Sequence, residues 1–159
     1  MKICEDFLEK NLFLELQKIL FNADFPWYYS KTTGNENDTS NFFFVHILFM
    51  DNQTRSNYFN NILIPIISKI EMKKLIRAKI NCYTKQNKFI YTAFHKDYDF
   101  KHNVALFSIN TNNGFTFFKN KKKIHSKENT LLLFNGDMEH CSVSQTDENL
   151  RINININYV

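Results

Sequence analysis

Hydrophobic and polar positions repeat with two different periods along the chain, and the change of period divides it. In residues 8–21, Leu12, Leu16, Ile19 and Leu20 recur at helical spacing with charges between them, which predicts an amphipathic helix ended by Pro26. Residues 59–70 place Ile62, Ile66 and Ile70 at i, i+4 and i+8 and predict a second helix, kinked or limited by Pro65. From residue 75 onward the period is two. Residues 75–84 put Ile76, Ala78, Ile80 and Cys82 on one face and Arg77, Lys79, Asn81 and Tyr83 on the other. Residues 150–158 repeat the split, with Ile152, Ile154 and Ile156 opposed to Arg151, Asn153, Asn155 and Asn157. Further strands are expected at 2–5, 41–50, 90–95, 103–110, 115–118, 130–134 and 141–144. Turn signals separate them: Asn112-Asn113-Gly114, residues 119–123, Asn135-Gly136-Asp137 and Asp147-Glu148-Asn149. Residues 31–40 and 51–57 are polar and read as mobile loops able to close over a site.

Helices first and many short strands afterwards predict an α+β chain whose strands form a jelly roll, with the two N-terminal helices packed on its major sheet. A strand half covered by solvent would alternate as residues 150–158 do. The jelly roll assigns the isoleucine face to the helices, however, and the Arg and Asn face to an interior polar enough for a charged ligand.

Composition narrows the class. A length of 159 residues, 43% of them hydrophobic, predicts a single domain over residues 1–159 with a real core. Seventeen phenylalanines against three glycines exclude a linker or a low-complexity segment. The formal charge of +4 is compatible with an acidic or nucleic-acid partner without requiring one. Cys4, Cys82 and Cys141 lack metal-type spacing and read as free thiols of a reducing compartment. With no signal peptide and no apolar run long enough to span a bilayer, a cytoplasmic protein without a membrane partner is expected. The basic run 119–123 reads as a solvated hairpin tip or a contact to a phosphate backbone, and the aromatics of 25–29 as core beneath a loop or a substrate platform.

The candidate chemistry lies in the last third. His95 and Asp97 stand two apart on extended backbone, so their side chains share one side. His140 follows on another strand. Two histidines and a carboxylate are the ligand set of a mononuclear non-haem Fe(II) centre with open positions. Asp99 has the same parity as Asp97 but lies farther from His95. His46, His102 and His125 read as packed or surface histidines. Arg151 could bind a carboxylate with paired hydrogen bonds, or pair with Asp147 or Glu148.

The ordered set His95-x-Asp97, His140, Arg151 resembles the 2-oxoglutarate/Fe(II)-dependent dioxygenases, in particular the small viral and bacterial prolyl-hydroxylase-like members. The resemblance covers most of the chain and is strongest from residue 75 on. It implies a double-stranded β-helix, with His95, Asp97 and His140 as metal ligands and catalytic centre. It also implies Fe(II), 2-oxoglutarate and O₂ as cofactors and cosubstrates, with ascorbate in support. Arg151 would bind the far carboxylate of 2-oxoglutarate; Asn81 and Tyr83 would add hydrogen bonds from the strand before the H-x-D motif, and Asn153 lies beside Arg151. Residues 113–116 loosely match the family's Gly-rich turn. Where relatives carry a tyrosine on the strand before that turn, this chain offers Ser108. The implied reaction is hydroxylation of an unactivated C–H, with a protein or peptide as the foremost substrate. Asn81-x-Tyr83 and Arg151-x-Asn153 also resemble the AlkB-like nucleic-acid demethylases, and a non-catalytic jelly-roll binding module is the alternative from outside enzymology.

Overall fold

The computed structural model describes residues 1–31 and 42–159, so the expected loop at 31–40 lies outside the described residues except for its first position. β1 (Lys2–Cys4) leads into α1 (Lys10–Leu20) and then β2 (Tyr28–Ser30). β3 (Phe43–Met50) turns back into β4 (Gln53–Thr54). A π-helical turn, Phe59–Leu63, continues into α2 (Ile64–Ile67). The strands β5 (Leu75–Thr84), β6 (Asn103–Ser108), β7 (Asn112–Phe118), β8 (Lys123–Ser126), β9 (Thr130–Asn135), β10 (His140–Val143) and β11 (Leu150–Tyr158) complete the chain. Among the described residues, no helix is long and apolar enough to cross a membrane.

Two sheets face each other. The larger runs β1-β9-β6-β11-β5-β3-β2 with β4 beside β3, and the smaller runs β10-β7-β8. The outer face of the large sheet carries the main core. Phe13, Leu16 and Leu20 of α1, with Ile62, Leu63 and Ile66 of the second helical segment, join Ala78, Ile80, Phe107, Ile152, Ile154 and Ile156 in one cluster. Burying each of the three β11 isoleucines contributes about 1.5–3 kcal/mol. A slip of one residue would turn all three away from the helices, so this burial sets the register. A second cluster, Val104, Phe118, Leu132 and Phe134, fills part of the space between the sheets.

Five local expectations need correction. α1 stops at Leu20, where Asn22 N–H donates to Ile19 O in a closing turn, so Pro26 starts the extended stretch and does not end the helix. The second helix is shorter than residues 59–70 and irregular. Pro65 sits in the first turn of α2, directly after the π-helical turn, and Ile70 packs on the core from beyond the helix end. Residues 90–95 do not form a strand. They run beside β10 through isolated bridges at Tyr91 and His95, because Ser144 Oγ accepts from Ile90 N–H and Thr92 Oγ1 from Ser142 N–H in place of ladder carbonyls. The basic turn ends earlier than expected, since Lys123 already belongs to β8, which pairs with β7. The second expected loop, 51–57, closes as a tight hairpin. Asp51 and Asn52 adopt φ of 55° and 57°, which short Asp and Asn side chains tolerate, and Met50 pairs with Gln53.

A candidate active site between the two sheets

The register of β5 against β11 builds one wall of a cavity. Tyr83 lies opposite Arg151, Asn81 opposite Asn153, Lys79 opposite Asn155 and Arg77 opposite Asn157. The polar faces of the two strands thus form one interior surface, since the helices take the apolar faces. Residues from β7 and β10 and from the segment 95–97 close the opposite side. The cavity encloses about 120 Å³ and is lined by His95, Asp97, His140, Arg151, Lys79 and Asn81 among others. That space admits a small ion or metabolite, so a macromolecular substrate would present a single group at the mouth. Ser108 is not among the lining residues. His46, His102 and His125 lie elsewhere too: His46 binds Pro26 O and Ser56 Oγ, and His102 packs on Gly136.

His95 and His140 are joined by an antiparallel bridge with backbone N–H···O bonds of 3.0 Å in each direction. That pairing places both rings on one side, with centroids 4.8 Å apart. His95 Nδ1 lies 3.1 Å from Ala93 O and His140 Nδ1 3.0 Å from Met138 O. A carbonyl can only accept, so each Nδ1 carries a proton and donates it there, which leaves each Nε2 as the ring nitrogen not used in that bond. Burial holds the His140 pKa below the usual histidine value; the Met138 hydrogen bond opposes this and His95 adds to it. Neutral imidazoles oriented through Nδ1 are what metal-ligating histidines require.

Asp97 shares the cavity but is turned to other partners. Its Oδ1 accepts from Arg77 Nη2 at 2.7 Å, and its Oδ2 accepts from Asn155 Nδ2 at 3.2 Å and Asn157 Nδ2 at 3.0 Å. Burial alone would raise its pKa. The Arg77 guanidinium, the Asn157 hydrogen bond and Lys79 outweigh burial and hold the carboxyl well below the usual carboxylate range. As these side chains stand, no three His, Cys, Asp or Glu groups among the described residues are placed to hold a metal ion. The donor types nevertheless fit one: two imidazoles held through Nδ1 and an ionised carboxylate line a single cavity.

At the other end of the wall, Arg151 is 2% exposed. Its Nε donates to Ser126 Oγ at 2.9 Å, and its Nη1 donates to Ser142 Oγ at 2.6 Å and Val143 O at 3.1 Å. The guanidinium carbon sits 5.2 Å from the centre of the Tyr83 ring. None of these acceptors is charged, and Arg151 forms no ion pair among the described residues, with Asp147 and Glu148 included. Gly114 makes room for it: a Cβ there would lie 2.9 Å from Arg151 Cδ and 2.8 Å from Asn112 Oδ1. Two buried acceptors, Asn81 Oδ1 and Asn155 Oδ1, lack a donor among the described residues. A buried cation without an anion is costly, and the space beside it suits a carboxylate.

Several site groups escaped the sequence reading. Arg77 and Lys79 were visible by parity on the polar face of β5, yet nothing in the sequence showed that they enclose Asp97. Burial lowers the Lys79 pKa to about 8, Arg77 pushing the same way and Asp97 opposing. Ser126 and Ser142 carry no sequence signal at all; only the folding of the small sheet over β11 brings them to Arg151.

No family model and no curated protein sequence matches the chain. Solved structures do. A Trichoplax adhaerens prolyl hydroxylase, in complex with a hypoxia inducible factor oxygen degradation domain peptide, superposes with a TM-score of 0.65 at 15% identity, over 99% of this chain and 82% of that one. A Pseudomonas putida prolyl-4-hydroxylase gives 0.63 at 11% identity over 99% and 91%. HygX from Streptomyces hygroscopicus, bound to nickel, 2-oxoglutarate and hygromycin B, gives 0.62 at 10% identity over 98% and 81%. At these identities the likeness is one of fold: the chain is a double-stranded β-helix of the kind found in the prolyl hydroxylases and other 2-oxoglutarate/Fe(II) oxygenases.

Proposed function

We propose that the protein is an Fe(II)- and 2-oxoglutarate-dependent dioxygenase that hydroxylates an unactivated C–H bond. The observation that carries this reading is Arg151, a fully buried guanidinium at the cavity wall with no anion among the described residues, set in the same cavity as a histidine pair held through Nδ1. A carboxylate at Arg151 would complete its charge and accept a paired hydrogen bond. Asn153 and Asn81, hydrogen-bonded to each other at 2.9 Å, and Tyr83 flank the same ligand along the strands. His95 and His140 would hold the metal, joined by Asp97 once its carboxylate turns from Arg77. Bound Fe(II) and 2-oxoglutarate would supply the oxidising chemistry, reducing O₂ with release of succinate and CO₂ and delivery of one oxygen atom to the substrate. The chain's own residues orient the cosubstrate, keep Asp97 ionised and enclose the site between the sheets.

Two substrate classes fit the size of the cavity. A peptide is supported by the peptide bound to the Trichoplax enzyme. A nucleic acid, as in the AlkB-like reading, is supported by the formal charge of +4 and the basic run at 119–123. The test is succinate release from 2-oxoglutarate under Fe(II) and O₂, with proline-containing peptides and methylated oligonucleotides as candidate substrates. Release that depends on His95 and His140 is the expected result. A protein that binds neither metal nor 2-oxoglutarate is instead a jelly-roll binding module.

A further inference from the structure

Positive charge is not spread evenly over this chain. Residues 85–125 hold eight lysines against Asp97 and Asp99 alone, a surplus larger than the +4 of the whole sequence, so the remainder is net acidic. The same stretch builds an aromatic face on the outside of the small sheet. Phe115 and Phe117 of β7 point away from the cavity, because Thr116 between them lines it. Phe89, Tyr91 and Phe94 lie over them: Phe89 is 5.8 Å from Phe115, Tyr91 5.9 Å from Phe115 and 5.8 Å from Phe117, and Phe94 5.8 Å from Phe117. Phe89, Tyr91 and Phe94 remain 46%, 48% and 40% exposed. Edge contacts of 79° and 80° pack Tyr91 against its neighbours and leave its ring partly open to solvent.

Lysines border the face. Lys123 Nζ lies 5.1 Å from the centre of the Phe115 ring and 5.9 Å from that of Phe117. Lys121 and Lys122 form the adjoining turn, Lys88 precedes Phe89, and all are exposed. Lys119 is paired with Glu139. The face reaches the candidate site directly, since Phe94 is followed by His95 and by Lys96, both at the cavity.

We infer that the aromatic face formed by Phe89, Tyr91 and Phe94, with Lys88, Lys121, Lys122 and Lys123 at its border, binds single-stranded nucleic acid and presents it to the cavity. The carboxylates of an acidic peptide answer the lysines but leave the ring faces unused. Each nucleotide answers both, with a phosphate for the lysines and a π-face for the rings. A duplex keeps its bases stacked internally and satisfies only the lysines. Single-stranded nucleic acid is then the substrate class of the proposed oxygenase, a consequence that rests on that reading. Binding itself needs neither metal nor 2-oxoglutarate, so a failed turnover assay and a failed binding assay remain distinct results.

The experiment is fluorescence anisotropy with the full chain and labelled oligo(U) and oligo(dT) of about 12 nucleotides, within the usual site size of such grooves. A duplex and an oligoglutamate peptide of matching length serve as controls. Either single strand should bind at least about tenfold tighter than both controls, a discrimination within the range that stacking supplies. Tyr91→Ala with Phe94→Ala should weaken single-strand binding by about 5-fold or more, and Tyr91→Phe should leave it unchanged. Lys121→Gln with Lys122→Gln should flatten the salt dependence by about 0.7 in log–log slope for each phosphate that the lysines no longer neutralise. Should the alanine protein fail to fold, quenching of a 2-aminopurine oligonucleotide on the unaltered protein reports stacking by itself. Equal binding of oligoglutamate, or aromatic variants that bind like the parent without 2-aminopurine quenching, would overturn the inference. So would a dimer that dissociates on Tyr91→Ala with Phe94→Ala, which would assign the face to a second copy of the chain.

Discussion

Replacing Arg151 separates a ligand-binding role from a structural one because the two effects carry opposite signs. In the free protein the guanidinium is desolvated, and its acceptors among the described residues are Ser126, Ser142 and the Val143 carbonyl, all uncharged. Exchanging an unpaired buried cation for an apolar side chain of similar length removes that desolvation cost, and the serine hydroxyls can rotate to water in the cavity. Arg151→Met should therefore be neutral or more stable by up to about 2 kcal/mol. Toward 2-oxoglutarate the sign reverses. Losing a buried, charge-assisted partner costs about 2–5 kcal/mol, or roughly 30-fold to several-thousand-fold in affinity. Arg151→Lys should recover part of this, since an ammonium restores the charge but not the paired hydrogen bonds. Thermal unfolding with an inert metal, with and without 2-oxoglutarate, reads both effects. At a ligand concentration about 100 times the dissociation constant the parent gains about 2.7 kcal/mol. For a chain of this size that corresponds to a rise of roughly 5–11 °C. With affinity lowered 100-fold, the variant at the same concentration should gain only about 0.4 kcal/mol, or roughly 1–2 °C. A variant that melts lower than the parent and keeps the full ligand-induced rise would show Arg151 to be structural and remove the main support for the cosubstrate site.

Four further outcomes are expected. His95→Ala and His140→Ala should each abolish tight binding of one Mn(II) by electron paramagnetic resonance; stoichiometric metal retained in the His140→Ala protein would refute the ligand assignment. Arg77→Gln should tighten Mn(II) binding about tenfold, because Arg77 holds Asp97 Oδ1 at 2.7 Å and competes with the metal for it; weaker binding would mean that Arg77 orients Asp97 for the metal. Gly114→Ala should weaken 2-oxoglutarate binding about tenfold or more in calorimetry, since its Cβ would lie 2.9 Å from Arg151 Cδ and 3.1 Å from Val143 O and would displace the guanidinium; unchanged affinity would show that the cradle yields. Lys79, with a folded pKa of about 8 against an ordinary lysine value of 10.5, binds its proton less tightly when folded. The unfolded chain therefore holds more protons between those values, and parent stability should rise with pH across that window relative to Lys79→Met. The variant should be about 1–3 kcal/mol more stable at pH 7 by denaturant titration, and parallel pH profiles would refute the assignment.

How much of this could be read from the chain alone depended on the range of the interaction. Alternation with period two placed Arg151, Asn153, Asn155 and Asn157 on one face and the isoleucines on the other, and the structure keeps that division, because side-chain direction in a strand is a local property. The H-x-D spacing likewise put His95 and Asp97 in reach of one cavity. Local signals failed where long-range partners replaced local ones. Residues 90–95 have strand composition but exchange two ladder bonds for the hydroxyls of Thr92 and Ser144. β8 follows a run of lysines that reads as a turn, and β7 is what pairs it. The capture of Asp97 by Arg77, Asn155 and Asn157 joins residues as many as 80 positions apart in sequence, counting the Arg77–Asn157 hydrogen bond that holds them together. The aromatic face of the small sheet has the same origin, since nothing in the order of residues places Tyr91 over Phe117. By itself the sequence determined which face of each strand is polar and which residue types could carry iron and carboxylate chemistry. Only the tertiary structure decided which of those polar groups meet and which charges find partners. Registers between distant strands are set by the burial of the whole apolar surface, and no local window contains that sum.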